Sequence, residues 1–321
     1  MGYGSYSHDA HVAMTQDRAA KPQEVFNQRG CHELMDPMGV KFRECLDSEA
    51  HPNSIGIVFA LDVSGSMGEI PTELAKRTLP TFMRTLLDAG VTDPQVLFMG
   101  VGCAIGDRAP LQVGQFESTE RLMDQWLTSL YLEGGGGGGN ESYELAMYFA
   151  SRHTRLDCLD KRGRRGYLFI TGDEPPNPAV SRTQVQRLMG DALADDIPIR
   201  QIIEETQSRY EPFYLIPDPG RAASVERQWR DLLGDRVIAM QTPDDTGYVA
   251  AGLVALLEGY VDGLGKLVDR YVASGLSRER AAGVAKALTP FAASIGRDGA
   301  PGQALGATRL PQGDGPSGYD R

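Results

Sequence analysis

The chain has 321 residues, enough for one large domain or two small ones, and its 41% apolar and 23% charged content is that of an ordinary soluble globular protein. Its formal net charge of -11 argues against nucleic acid, where affinity comes largely from Lys and Arg neutralising phosphates, and leaves basic protein surfaces as the compatible partners.

The amino terminus, MGYGSYSHDAHV, lacks the basic-then-apolar pattern of a secretory leader, and Tyr6 stands where a myristoylation pattern needs Ser or Thr. The most apolar later segment, VAAGLVALLEGYV, is broken by Glu258 and is too short to span a bilayer. Four cysteines, Cys31, Cys45, Cys103 and Cys158, show no close-pair spacing. These features predict a cytoplasmic chain with reduced thiols and no membrane insertion.

Residues 1–52 are polar and read as an amino-terminal extension, a strap over the core anchored by Met35, Met38 and Val40. Ile55 to Leu61 is a continuous apolar run that predicts a buried strand. EIPTELAKRTLPTFMRTLLDAG places Ile70, Leu74, Phe82, Leu86 and Leu87 at helical spacings, with Pro71 in the first turn, a kink expected at Pro80 and Gly90 past the end. QVLFMGVGCA reads as the next buried strand, and STERLMDQWLTSLYL as a helix opened by Ser118, Thr119 and Glu120. The glycine run Gly134 to Gly139 follows as a loop, then the helix ESYELAMYFASRHT. The basic stretch KRGRRG, Lys161 to Gly166, is expected to be a solvated turn before a third buried strand, YLFITGDEPP, which ends in Asp173.

Helices are predicted near Arg182–Gly190, Ile199–Arg209 and Ala222–Leu233, with strands at Phe213–Pro217 and in RVIAMQ. After Pro243 comes a long helix through TGYVAAGLVALLEGYV, with Asp244 and Asp245 at its positive end, and a further helix over about Arg278–Leu288. From Pro290 the sequence is rich in Gly and Pro and is expected to be disordered. The alternation predicts an α/β chain: a mostly parallel sheet with helices on both faces. Its domain division is an extension over 1–52, an α/β domain over 53–289 and a tail over 290–321.

Sheets of this kind carry their sites at the carboxyl ends of the strands. Two strands here end abruptly in polar groups: one in Asp62-Val63-Ser64-Gly65-Ser66, the other in Asp173. Asp62, Ser64 and Ser66 offer three oxygens that Gly65 and Gly68 let converge, and Asp173 comes from the second strand end. An all-oxygen set suits Mg2+, Mn2+ or Ca2+ and not zinc, with Mg2+ preferred. The competing reading is that Ser64 and Ser66 cap the following helix while Asp62 satisfies loop amides.

IGIVFALDVSGSMGEIP resembles the opening of a von Willebrand factor A domain with its Asp-x-Ser-x-Ser metal-ion-dependent adhesion site, and the order of elements is similar over about Ile55 to Tyr260. The resemblance implies a Rossmann-like fold that binds protein partners, often through a partner carboxylate that completes the metal shell. Asp62, Ser64 and Ser66 match the family's first loop. Asp173 matches its later Asp, although Glu174 stands where Gly is usual. The family's middle ligand is a Thr before the third helix; here that place reads Asn140-Glu141-Ser142, with Glu141 at the Thr position. A carboxylate there makes the metal less eager for a partner's acidic group.

Other motifs compete less well. The glycines satisfy Gly-x-Gly-x-x-Gly at Gly134, Gly136 and Gly139, but a helix and not a strand is predicted before them, and no Gly-x-x-x-x-Gly-Lys-Ser/Thr loop occurs. Ser64 and Ser66 lack the Gly-x-Ser-x-Gly setting of a hydrolase nucleophile, and His153 alone among the histidines lies beyond the extension. His8, His11, His32 and His51 with Cys31 and Cys45 invite zinc, but their spacing matches no close-pair pattern.

The function expected is therefore a metal-dependent protein-interaction module, an intracellular adaptor or scaffold and not an enzyme. By resemblance its partner is an AAA+ ATPase or a signalling enzyme. The alternatives are a metal-dependent hydrolase on the same cluster, with Glu141 or Glu174 as base, and a metal-free scaffold.

Overall fold

A computed structural model describes residues 6–19, 26–67, 70, 79–134, 140–217 and 219–297. The strands are β1 Arg43–Cys45, β2 Ile55–Asp62, β3 Pro94–Val101, β4 Leu111–Val113, β5 Thr154–Leu156, β6 Gly166–Thr171, β7 Ala179–Val180, β8 Ile197–Pro198, β9 Tyr210–Ile216 and β10 Val237–Ala239. Among the described residues the central sheet has six strands in the order β10-β9-β6-β2-β3-β4, parallel except for the antiparallel edge strand β4. Every residue of β2 and β3 is buried, as strands covered on both faces must be, and this is why they read as unbroken apolar runs.

The helices are α1 His8–Ala19, α2 described from Leu79 to Ala89, α3 Glu120–Thr128, α4 Tyr143–Arg152, α5 Asp157–Asp160, α6 Arg182–Met189, α7 Ile199–Arg209, α8 Pro219–Leu233, α9 Thr246–Leu257, α10 Leu264–Ala273 and α11 Arg278–Ser294. The period of two along β2 divides the interior. Ile57, Phe59 and Leu61 join a core with α2, α3, α9, α10 and α11, whereas Val58 and Ala60 join one with α4, α6, α7 and α8. Phe59 packs edge-on to Phe82 at 4.8 Å and tilted against Phe169 at 5.2 Å, so the first core is centred on aromatic contacts.

The extension threads between the layers. α1 packs against α2 and α3, Met35 is fully buried in the first core, and Val40 packs against the second. Met38, expected as an anchor, is exposed. β1 then pairs in parallel with β5 and sinks Cys45 beside Gly56, where a Cβ would lie 2.6 Å from Leu156 Cδ2. All four cysteines are free thiols, and among the described residues no helix is long and apolar enough to cross a membrane.

Several boundaries differ from expectation. The last helix continues through Pro290 to Ser294 because Phe291 and Ala292 are buried, and this packing offsets the backbone hydrogen bond that proline cannot donate. The tail thus starts later than 290, and its remainder, 298–321, lies outside the described residues, as do Leu74, the expected first turn at Pro71 and glycines 135–139. Pro80 falls at the start of the described part of α2. The helix after Pro243 stops at Leu257, where Gly259 takes a positive φ of 76°.

KRGRRG is not a merely solvated turn. Arg162 pairs with Asp47 of the extension at 2.5 Å, Arg164 with Glu258 and Arg165 with Glu211. The acidic partners come from segments distant in sequence, so the pairing is invisible in the local composition.

Candidate metal centre at the carboxyl edge of the sheet

Chain order makes a crevice at the end of β2. The chain leaves β2 for β3 on one side, while β6 lies on the other, so the connections diverge there as at the ligand sites of open α/β sheets. The register Leu61↔Thr171 sets the ends of β2 and β6 side by side. Three loops close over this point. Val63 N donates to Val101 O at 2.9 Å, Ser142 N to Gly102 O at 3.0 Å, and Ala104 N to Ser142 Oγ at 3.0 Å. Ser142, one residue from the expected ligand position, is therefore a clamp between loops.

Asp62 is fully buried. Its Oδ1 accepts the Ser64 N–H at 2.9 Å, the turn that the competing reading requires, and its Oδ2 accepts the Tyr143 hydroxyl at 2.6 Å. Burial pushes its carboxyl above the ordinary range, hydrogen bonds from Ser64 and Tyr143 counteract this, and the charge of Glu174 adds to the rise. Glu141, also buried, is pushed up to about 8, first by burial and then by repulsion from Asp62, Glu174 and Asp107, against a stabilising bond from the Ser64 hydroxyl.

The structure thus brings Asp62, Ser64 and Glu141 together around one hydroxyl. Asp173 is buried just past β6, and the charge of its neighbour Glu174 reaches both Asp62 and Glu141. Ser66 lies in the turn Gly65–Met67, and its side chain is outside the described residues. Among the described residues no three His, Cys, Asp or Glu side chains form a group able to hold a metal by themselves. A cation at Asp62 needs the serine oxygens and water as well, which is the chemistry of Mg2+. The donor set fits such an ion: it is all oxygen, and its mutually repelling carboxylates gain from a positive charge placed among them.

Tyr143 was missed from sequence, where it reads as one more core residue of YELAMYFA. The available signal was its place two residues after Glu141, at the same helix start. Its hydroxyl demands glycine opposite: a Cβ on Gly172 would sit 2.2 Å from Tyr143 Oη. Gly172→Ala is expected to cost about 3 kcal/mol by overpacking and to break the Tyr143–Asp62 bond. A urea melt unchanged from wild type would show that this contact has slack.

Asn177 closes the floor, donating to Glu141 O and to Glu144 Oε2 at 3.2 Å each. Behind it, Tyr214 stacks on Trp229 at 4.1 Å, Tyr143 sets its edge against both rings, and Tyr214 and Trp229 each donate to Glu174 O.

No family model and no curated protein matches the chain. Similar solved structures include the pilus adhesin SpaC from Lactobacillus rhamnosus GG in its open conformation, at 13% identity and a TM-score of 0.41 over 65% of this chain and 31% of that one. Proximal thread matrix protein 1 from the mussel byssus is 10% identical, with a TM-score of 0.40 over 66% and 48%. The vWF domain of the type V pili tip protein Mfa5 from Porphyromonas gingivalis is 10% identical, with a TM-score of 0.40 over 64% and 95%. The chain thus spans about a third of the adhesin's length and about half of the thread protein's. By its own topology the chain is an α/β architecture with a mostly parallel central sheet between two helical layers, as the alternation of strands and helices predicts.

Proposed function

We propose that the carboxyl edge of the sheet is a metal-dependent protein-binding face, and that its work is binding and not turnover. The observation that carries this reading is the convergence of Asp62 and Glu141 on the Ser64 hydroxyl, where burial, and after it repulsion from Asp62, Glu174 and Asp107, raises Glu141 to about 8. Asp62, Ser64 and Glu141, with Ser66 and Asp173 beside them, would hold a divalent cation, Mg2+ first, which supplies a Lewis-acidic position for a partner's oxygen. Ile105, 74% exposed in the loop after β3, is an apolar contact on the same rim. An intracellular adaptor role beside an ATPase or signalling enzyme is the partner class that this reading favours.

The test is calorimetric titration of Mg2+, Mn2+ and Ca2+ into metal-stripped wild type and into Asp62→Ala/Ser64→Ala. Binding in the wild type that is lost in the variant is expected; equal heats in the two would remove the metal from this site. A pull-down with both baits, in Mg2+ and in EDTA, then reads partner binding. Retention that depends on neither the metal nor the two residues would sink the metal-dependent face.

A further inference from the structure

The amino edge of the sheet, where α2 ends and β3 begins, carries a basic constellation whose residues play no part in the site above. α10 holds Lys266 and Arg270 one helical turn apart, and both line a cavity of about 380 Å3 together with Tyr260, Asp262 and Ala273. Arg270 Nη1 donates to Ala89 O, at the end of α2, at 3.1 Å, which uses a single donor of its guanidinium fork. On the turn before α10, Arg297 Nη1 donates to Val261 O at 2.9 Å. A Cβ on Gly90 would lie 3.1 Å from Tyr260 Cδ1, so a glycine at this point lets the ring seat against the end of α2. β2 is eight residues long, so about 26 Å separates this edge from Asp62.

Among the described residues no carboxylate stands within ion-pair distance of Lys266, Arg270 or Arg297, although the chain has 43 acidic residues against 32 basic ones. The acidic neighbours along the chain are engaged elsewhere: Asp88 pairs with Arg84 at 3.6 Å and Asp269 with Arg278 at 3.9 Å. The fold bears a cost for this arrangement. Like charges one turn apart repel, and Lys266 stands in the first turn of α10, where the helix dipole is itself positive and the N-cap Gly263 brings no side-chain oxygen. An anion seated between the two side chains relieves both. Tying α10 to the end of α2 accounts for Arg270, but it does not account for Lys266 beside it in the same cavity.

We propose that Lys266 and Arg270 form a binding site for a small sugar phosphate. Two adjacent cations match a phosphoryl dianion better than the single charge of a carboxylate, and the planar guanidinium suits phosphoryl oxygens in particular. Asp262 lines the same cavity and repels a bare anion, so the ligand must also bring hydroxyl donors to that carboxylate. Tyr260 and Ala273 supply apolar wall for the C–H surface of the sugar. At about 380 Å3 the cavity lies at the small end of ligand sites, which suits a pentose phosphate and exceeds what inorganic phosphate fills.

The experiment is calorimetric titration of ribose 5-phosphate into the full chain in EDTA, so that no metal bridges the phosphate to Asp62, with ribose and inorganic phosphate as comparison probes. Saturable binding of one ribose 5-phosphate per chain is expected, with ribose and inorganic phosphate each weaker by about 10-fold or more, the worth of a hydrogen bond to a charged group. Lys266 is exposed, so Lys266→Gln should fold as the wild type does and weaken ribose 5-phosphate by about the same factor. Arg270→Lys keeps the charge, removes the planar fork and should weaken binding as well. Asp262→Asn removes a repelling charge and should tighten inorganic phosphate, which binding elsewhere on the chain would not do. Asp62→Ala/Ser64→Ala should bind ribose 5-phosphate as the wild type does, so that failure here and failure of the metal-binding face are read separately. Absence of saturable ribose 5-phosphate binding to the wild type overturns the proposal whatever the variants do. Unchanged affinity in a folded Lys266→Gln overturns it too, as does inorganic phosphate binding as tightly as the sugar phosphate.

Discussion

Replacement of Trp229 by alanine is expected to lower stability by about 3–5 kcal/mol, the usual cost of removing a large aromatic ring from a packed core. Trp229 has no exposed surface, stacks on Tyr214 at 18° between ring planes, and donates its indole N–H to Glu174 O at 3.0 Å. The cavity left would sit directly behind Tyr143, whose ring edge meets Trp229 at 5.8 Å and whose hydroxyl holds Asp62. The damage should therefore reach Asp62: if the proposed metal-binding face is right, weaker Mg2+ binding is expected together with the lower urea midpoint. Trp229→Phe keeps an aromatic ring against Tyr214 and loses one hydrogen bond, so it should cost about 1 kcal/mol. A loss below about 1 kcal/mol in the alanine variant would show that the ring platform does not support the site.

The second large effect is a pH dependence set by Glu144. This residue lies in the first turn of α4 and is fully buried; Asn177 donates to its Oε2, while its Oε1 has no hydrogen-bond partner among the described residues. Burial pushes its carboxyl up to about 8, against modest opposition from its own backbone N–H and from Asn177. The folded chain therefore keeps this proton to about pH 8, whereas the unfolded chain releases it near 4.5. Across that window the unfolded state binds fewer protons, so the contribution to stability is complete below pH 4.5 and is lost as pH rises to 8, at up to about 1.4 kcal/mol per pH unit. Glu144→Gln carries a neutral amide of the same shape at every pH. Its melting temperature should gain on the wild type from pH 5 to pH 8 and then hold a constant lead. Parallel melting curves for the two proteins over that range would show that Glu144 is ionised in the fold.

Both predictions depend on contacts that no stretch of sequence displays. Trp229 and Tyr143 are 86 positions apart, and β5, α5 and β6 lie between Glu144 and Asn177 in the chain. By contrast the crevice itself was legible. Ile55 to Leu61 reads as a buried strand because a strand covered on both faces must be apolar at every position, and a carboxylate at its end then stands out. The place of Asp62, Ser64 and Glu141 at the carboxyl edge follows from that run and from the helix start after the glycines. The reading was less complete where packing draws on distant groups. His51 was classed with the extension, although the fold carries it to Ser118. Arg162, Arg164 and Arg165 looked solvated because their acidic partners lie at Asp47, Glu258 and Glu211.

The sequence by itself determined the alternation of buried strands and amphipathic helices, the parallel character of the sheet and the strand end at which Asp62 and Ser64 stand. These are properties of hydrophobic period and of local backbone chemistry, which act over a few residues. Only the tertiary structure decided that Tyr143 holds Asp62, that Glu174 crowds Glu141, that the extension runs through both cores, and that Arg270 of α10 reaches the end of α2. Each of these depends on which side chains from remote segments share one volume, and chain connectivity places no local mark on them.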